Sequence, residues 1–150
     1  MLAAFDSNIL LYSLMEPASV KGTVAQDLIA RAGVDSAIVP AQVLGEVLAV
    51  VRRRRPDLFG LAIRTVDSFA ETFRIAPTDR DVMLGAAAMA EQYRLQVWDS
   101  VICVAAAKAG ATHLLSEDMQ DGAMLDGVRV INPFDPANAN VVDRLLSVFR

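Results

Sequence analysis

Short apolar runs alternate along this chain with stretches whose apolar residues recur at helical spacing. Leu2 to Phe5 is an unbroken apolar run bounded by Asp6, Ser7 and Asn8, the pattern of a strand buried on both faces of a parallel sheet. Ile9 to Tyr12 predicts a short helix or turn ending around Glu16 and Pro17. Ser19 is placed to cap a helix carrying Val24, Ala25, Leu28 and Ile29 as far as Gly33. Ser36 to Val39 predicts a second strand, after which Pro40 opens a third helix. Its expected buried stripe is Leu44, Val47, Leu48 and Val51, with Glu46 near the N-terminal end and Arg52, Arg53, Arg54 and Arg55 closing it before Pro56. A fourth helix is expected from Asp57 through Ile63, Val66 and Ala70, then a third strand at Phe73, Arg74 and Ile75. An Ala- and Met-rich helix follows from Asp79 through Met83, Ala86, Ala87 and Ala90 to about Tyr93, its small residues favouring close packing. Val97 to Ser100 lead into a helix from Val101 to Ala109, stopped by Gly110. Thr112 to Ser116 predicts a fourth strand, an acidic stretch runs from Glu117 to Asp121, and Val128 to Ile131 forms a last strand between turns at Gly127 and Asn132-Pro133. Strands alternating with helices predict an α/β fold, with a mostly parallel sheet of four to five strands sandwiched by helices.

The length of 150 residues and the 54% apolar content suit one domain, residues 1–150, with a full core. Charged residues make up only 21%, so part of the apolar surface is expected to pack against a partner or a second copy, and a homodimer is the default. No run approaches a membrane span, and no basic segment followed by a long apolar one opens the chain, so a cytoplasmic location is expected. The net charge of −4 argues against binding nucleic acid through an overall positive field, but it leaves room for a metal-assisted contact. Cys103 sits in an apolar helical setting and receives no chemical role. His113, the one histidine, excludes a mechanism that needs two imidazoles from one chain, and its place near a strand start points to a structural role.

Four acids fall at corresponding places: Asp6 after the first strand, Glu46 and Asp99 in the opening turns of helices, and Asp118 after the fourth strand. In a right-handed α/β sheet those places lie along one edge, where ligands bind. Two carboxylates about 4 Å apart repel by about 4 kcal/mol at an effective dielectric near 20. Such a cluster must take up protons or bind a cation, and oxygen donors without His or Cys favour Mg²⁺ or Mn²⁺. The competing reading makes Asp6 and Asp99 helix caps and Glu46 a surface acid. The Arg52 to Arg55 run suits the helix dipole, or alternatively forms a basic patch for RNA or a partner protein.

Taken together, Phe5-Asp6-Ser7-Asn8-Ile9-Leu10-Leu11-Tyr12, Val43-Leu44-Gly45-Glu46-Val47, Trp98-Asp99-Ser100-Val101-Ile102 and Leu114-Leu115-Ser116-Glu117-Asp118-Met119 resemble, in order, the four acidic motifs of PIN-domain ribonucleases. The likeness is greatest to the VapC-like toxins of toxin–antitoxin pairs and spans about residues 2 to 134. It implies a PIN-like three-layer α/β/α fold in which Asp6, Glu46, Asp99 and Asp118 hold one or two Mg²⁺ or Mn²⁺ ions that activate water against an RNA phosphodiester, leaving a 5′-phosphate and a 3′-hydroxyl. It further implies that Asn8 orients Asp6 and that Ser116 occupies the hydroxyl position before the fourth acid. Asp121 ranks as an additional acid, and Asp118 is favoured over its neighbour Glu117. The implied partner is an antitoxin covering the acidic groove, with an Arg inserted among the carboxylates.

Two other readings compete. A haloacid-dehalogenase-like phosphatase needs a second acid two residues after its nucleophile, where this chain has Asn8, and it leaves Glu46 and Asp99 unexplained. A catalytically inactive PIN scaffold binding RNA or a protein is the other, and the presence of all four acids argues against it. Neither Ser7 nor Ser100 lies in a nucleophile elbow.

Overall fold

The computed structural model of the chain describes residues 1–147. Among them lie the strands β1 (Ala3–Phe5), β2 (Ala37–Pro40), β3 (Arg74–Ala76), β4 (His113–Leu115), β5 (Met124–Leu125) and β6 (Val128–Ile131). The helices are α1 (Ser7–Met15), α2 (Val20–Arg31), α3 (Ala41–Arg54), α4 (Phe59–Thr72), α5 (Arg80–Tyr93), α6 (Val97–Lys108) and α7 (Ala139–Leu146), with single 3-10 turns ahead of α4 and α7. The strands form one sheet in the order β3-β2-β1-β4-β6-β5. All pairings are parallel except β5 with β6, and the helices flank the sheet in the expected α/β/α arrangement.

This sheet has one strand more than expected. Asp126 and Gly127 both take positive φ, 48° and 88°, which makes the two-residue turn of a tight hairpin and pairs Leu125 with Val128. The Asp-Gly pair was the available signal. Helix α7 was also missed, although Val141, Val142, Leu145 and Leu146 show helical spacing.

Several helices turn slightly different faces to the core than their apolar residues predict. In α3 the fully buried positions are Val43, Val47 and Val51, while Leu44 and Leu48 flank them half-buried. In α4 the inward residues are Ala62 and Phe69, whereas Ile63 and Ala70 face outward. Phe69 decides that rotation, because its ring meets Phe73 edge-on at 5.1 Å and Phe73 meets Phe5 at 6.3 Å. In α5 the buried set is Val82, Ala86 and Met89, with Met83 and Ala87 exposed. Small residues do bring α5 close to α6, since a Cβ on Gly85 would stand 3.0 Å from Val104. Helix α6 is buried from Ser100 to Ala106 and includes Cys103, whose thiol burial pushes up to about 12, consistent with an inert packing role.

The sheet's C-terminal edge is the side on which the candidate acids Asp6 and Asp118 fall. β2 lies on one side of β1 and β4, reached after the chain crosses back, lies on the other. The order therefore reverses between β1 and β4, and a crevice forms beyond their carboxyl ends. His113 starts β4 at the opposite edge, its ring bonded to Thr112, and burial followed by the nearby Arg129 charge lowers its basicity.

Helix α2 packs on α1 so closely that Gly22 is obligatory. A Cβ there would meet the Glu16 carbonyl oxygen at 1.8 Å, a backbone atom that cannot swing away. Gly45 on α3 has nothing within 4 Å of the same position. Gly22→Ala is expected to lower unfolding free energy by about 1–3 kcal/mol or more, and Gly45→Ala to raise it by about 0.5–1 kcal/mol. Urea unfolding of both variants checks the contrast, and equal effects would contradict this packing.

Candidate functional site

The site begins with strand register. Phe5 pairs with Leu115 across β1 and β4, and the Asp6 amide continues the ladder to the Leu115 carbonyl at 3.0 Å. The next residue of each strand, Asp6 and Ser116, therefore stand side by side at the crevice. Ser116 donates its hydroxyl to Asp6 Oδ2 at 2.6 Å, while the Ser7 amide donates to Asp6 Oδ1 at 2.6 Å. Asp6 is thus the N-cap of α1 and also a member of the acid cluster; the two readings of this residue are compatible.

Asn8 lies in the first turn of α1 and bridges the two strand ends. Its Nδ2 approaches Asp118 Oδ2 at 3.1 Å, and Asp6 Oδ2 and Ser116 Oγ at 3.5 Å each. The Asp118 amide in turn donates to Ser116 Oγ at 3.2 Å. Asp6, Asn8, Ser116 and Asp118 thereby form one hydrogen-bonded group. Asp99 arrives on the first turn of α6 and Glu46 on the second turn of α3, where Gln42 lies 3.5 Å from the Glu46 carboxylate.

Electrostatics link these acids. Asp6 is 1% exposed, and burial pushes its carboxyl up to about 6, with the charges of Asp118 and Asp99 adding to the rise against the pull of Ser116 and Ser7. Burial likewise holds Asp99 above the usual carboxylate range, reinforced by Glu46 and Asp118. No three Asp, Glu, His or Cys side chains among the described residues are grouped as a finished cage for one ion.

The remaining candidates divide. Glu117 accepts from Lys21 Nζ at 2.8 Å and from the Tyr12 hydroxyl, so its charge is already neutralised away from Asp6. That pairing is the physical difference between it and Asp118. Asp121 holds the loop after β6, accepting from the Asn132 amide at 2.8 Å and from Asn138 Nδ2 at 3.0 and 3.1 Å. Arg55 pairs with Asp57, Arg52 stacks on Phe59, and Arg54 lines a cavity beside Asn8 and Asp118. Sequence reasoning missed two features here, the Lys21–Glu117–Tyr12 group, which joins residues far apart in the chain, and the half-exposed Trp98 beside Asp99, which is 52% exposed.

The PIN domain family model matches residues 3–120. The chain belongs to the PIN domain family. Its described fold is similar to a toxin–antitoxin complex from Klebsiella pneumoniae, with a TM-score of 0.64 and 22% identity, covering 87% of this chain and 97% of that one. It is also similar to Mycobacterium tuberculosis VapC20, a sarcin–ricin loop cleaving toxin, with a TM-score of 0.63 and 15% identity over 77% of this chain and 91% of the other. A third PIN-like relative is VapBC2 from Rickettsia felis bound to a promoter DNA fragment, at a TM-score of 0.61 and 14% identity, covering 87% and 97%. Compared by sequence with curated proteins, this PIN domain has no match.

The donor set of this PIN domain fits a hard divalent cation on three counts. Its candidate donor atoms are all oxygens. No Lys or Arg among the described residues pairs with Asp6, Glu46, Asp99 or Asp118. Asn8 Oδ1 is buried within the group and has no donor, the kind of orphan acceptor that a hydrated ion or its water can satisfy.

The raised Asp6 carboxyl has a stability consequence. Its folded value of about 6 lies above the ordinary aspartate value of 3.8, so the folded chain binds more protons between those values and stability falls as pH rises through them. The cost at neutral pH in chelator is on the order of 3 kcal/mol. Asp6→Asn is expected to exceed the parent in stability at pH 7 with EDTA and to lose that advantage below about pH 4. Millimolar Mg²⁺ should stabilise the parent and not the variant. Urea unfolding across pH tests this, and superimposable profiles would remove Asp6 as the charged liability of the site.

Proposed function

We propose that this PIN domain is a metal-dependent endoribonuclease of the toxin type, with Asp6, Glu46, Asp99 and Asp118 holding one or two Mg²⁺ or Mn²⁺ ions. The observation that carries the proposal is the buried, charge-strained Asp6, tied through Ser116 and Asn8 to Asp118 at the crevice between β1 and β4. When bound, the ion supplies Lewis-acid polarisation and activation of water at a phosphodiester. The chain's own residues do the positioning. Ser116 and the Ser7 amide each fix one oxygen of Asp6, and Asn8 sets the spacing from Asp6 to Asp118. Asp99 and Glu46 would complete the donor set from α6 and α3. Asp121 acts at a remove, by holding Asn132 and Asn138 and so the course of the loop that follows β6.

A cognate antitoxin is the proposed partner, in line with the toxin–antitoxin complexes among the structural relatives. A segment of that antitoxin covering the carboxylates with a cation would relieve the same repulsion that the metal relieves. A homodimer belongs to the proposal too, because Met83 and Leu84 on α5 and Val97 and Trp98 on α6 leave apolar surface exposed. No helix among the described residues is long and apolar enough to cross a membrane; a cytoplasmic location is part of the proposal, because a toxin acting on the RNA of its own cell meets it there.

Purified chain is expected to cut single-stranded RNA in Mg²⁺ or Mn²⁺, leaving 5′-phosphate ends. Asp6→Asn and Asp99→Asn should each lose about 10²-fold or more in rate, and Asn8→Ala about 10- to 100-fold, all with circular dichroism unchanged. RNA that is bound but never cut would favour the inactive scaffold, and an Asp6→Asn variant that cuts as well as the parent would overturn the site.

A further inference from the structure

The four arginines at the end of α3 have different surroundings: Arg53 is exposed, has no ion pair among the described residues and does not line the cavity beside Asp118, and Arg54 does line it. Arg55 is committed to Asp57 through two parallel bonds of 3.0 and 2.8 Å. The Arg52 guanidinium rests 5.2 Å from the centre of the Phe59 ring. Arg54 lines a cavity of about 190 Å³ together with Asn8, Tyr12, Met15, Glu117 and Asp118. It has no ion pair among the described residues. Three acids line that cavity, Glu16, Glu117 and Asp118, and of these Glu117 is already met by Lys21 at 2.8 Å. Arg54 is therefore a free guanidinium at the mouth of a pocket that opens directly on Asp118.

We infer that Arg54 is the positioning residue for an RNA phosphate flanking the one that is cut. The inference rests on the nuclease reading above and names how the substrate is held in it. A polyanion approaching a chain of net charge −4 at its most acidic edge needs a local cation, since affinity for nucleic acid comes from basic groups that replace counterions. Distance decides which phosphate is held. Glu46 and Arg54 are eight residues apart on one helix, a rise of about 12 Å at 1.5 Å per residue. Arg54 thus stands away from Glu46, on the Asp118 side of the acids, where it meets a phosphate next to the one they hold. The apolar flank of the cavity, Leu11, Tyr12 and Met15, offers a face against which an unpaired base can lie. At about 190 Å³ the cavity is below the roughly 300 Å³ at which pockets for drug-sized ligands begin, which suits partial entry of a single nucleotide.

The test uses the full chain carrying Asp6→Asn, so that RNA stays intact, and a labelled single-stranded RNA oligonucleotide followed by anisotropy over a salt series in Mg²⁺. Adding Arg54→Ala is expected to weaken binding about 10-fold and to reduce the slope of log K against log salt by about 0.7, the value for one phosphate contact on a single strand. Arg54→Lys should keep the slope and recover part of the affinity. Lys108→Ala removes the same charge from the far end of α6 and should change binding by less than about twofold. In the otherwise native chain, Arg54→Ala should raise KM with kcat nearly unchanged. An unchanged salt slope, or a loss no greater than that of Lys108→Ala, overturns the assignment. So does an equal loss of binding to polyglutamate, which would mark Arg54 as a contact for an acidic protein. A native chain that cuts RNA while Arg54→Ala leaves KM unchanged overturns the role of Arg54 alone; a native chain that neither binds nor cuts RNA overturns the nuclease reading itself.

Discussion

The pairing of Phe5 with Leu115 is the constraint on which the functional edge of this molecule depends. Because β1 and β4 run parallel in that register, the residues that follow them, Asp6 and Ser116, emerge side by side, and a carboxylate that would be isolated in a dry core finds a hydroxyl at 2.6 Å. A slip of one residue would turn every side chain of β1 to the opposite face and exchange Asp6 for Phe5 at the crevice. The register is protected by complete burial of Ala3, Ala4 and Phe5, and by the Ser36 carbonyl and the Leu115 carbonyl, which accept from amides at either end of β1. The edge where chemistry is proposed is therefore set by the most rigid part of the fold.

That rigidity is turned to an unfavourable end in the isolated chain. Burial holds the Asp6 carboxyl up to about 6 even though Ser116 and Ser7 both stabilise its charged form, so desolvation and the neighbouring acids outweigh two short hydrogen bonds. A chain selected for stability alone would place Asn or Ser at this position. Retaining an acid there, strained further by the charges of Asp118 and Asp99, stores electrostatic free energy that an incoming cation can release. Helix α3 carries both halves of that economy, with Glu46 near its start among the acids and a free Arg54 in its last turn.

Much of this was legible in the sequence because the relevant signals are local. The apolar run before Asp6, Pro40 at the start of α3 and the acid following each apolar segment specify the alternation of strands and helices and the edge on which the acids fall. What escaped is non-local or depends on rotation. Ile63 and Ala70 have the right spacing for the core face of α4, yet the aromatic contact of Phe69 with Phe73 turns that face away. The β5–β6 hairpin rests on two residues with positive φ, too short a signal to outweigh the surrounding polar stretch. The four arginines are indistinguishable in sequence; Asp57 and Phe59 engage Arg55 and Arg52, and the cavity beside Asp118 takes in Arg54 and not Arg53.

Glu117 and Asp118 show how far such non-local partners decide chemistry. The two acids are adjacent, follow the same strand and line the same cavity. Successive residues leaving a strand point to opposite sides, so one of them must turn from Asp6 whichever way the chain runs. Here Glu117 turns toward α1 and α2, where Tyr12 and Lys21 receive it, and the Lys21 ammonium also stands 5.2 Å from the centre of the Tyr12 ring. Asp118 is left facing Asn8 with no cation of its own. The pairing of Glu117 thus has two effects at once. It fastens the loop after β4 to the first two helices, and it takes out of the cluster the one acid whose charge would otherwise compete with Asp118 for Asn8 and for any incoming cation.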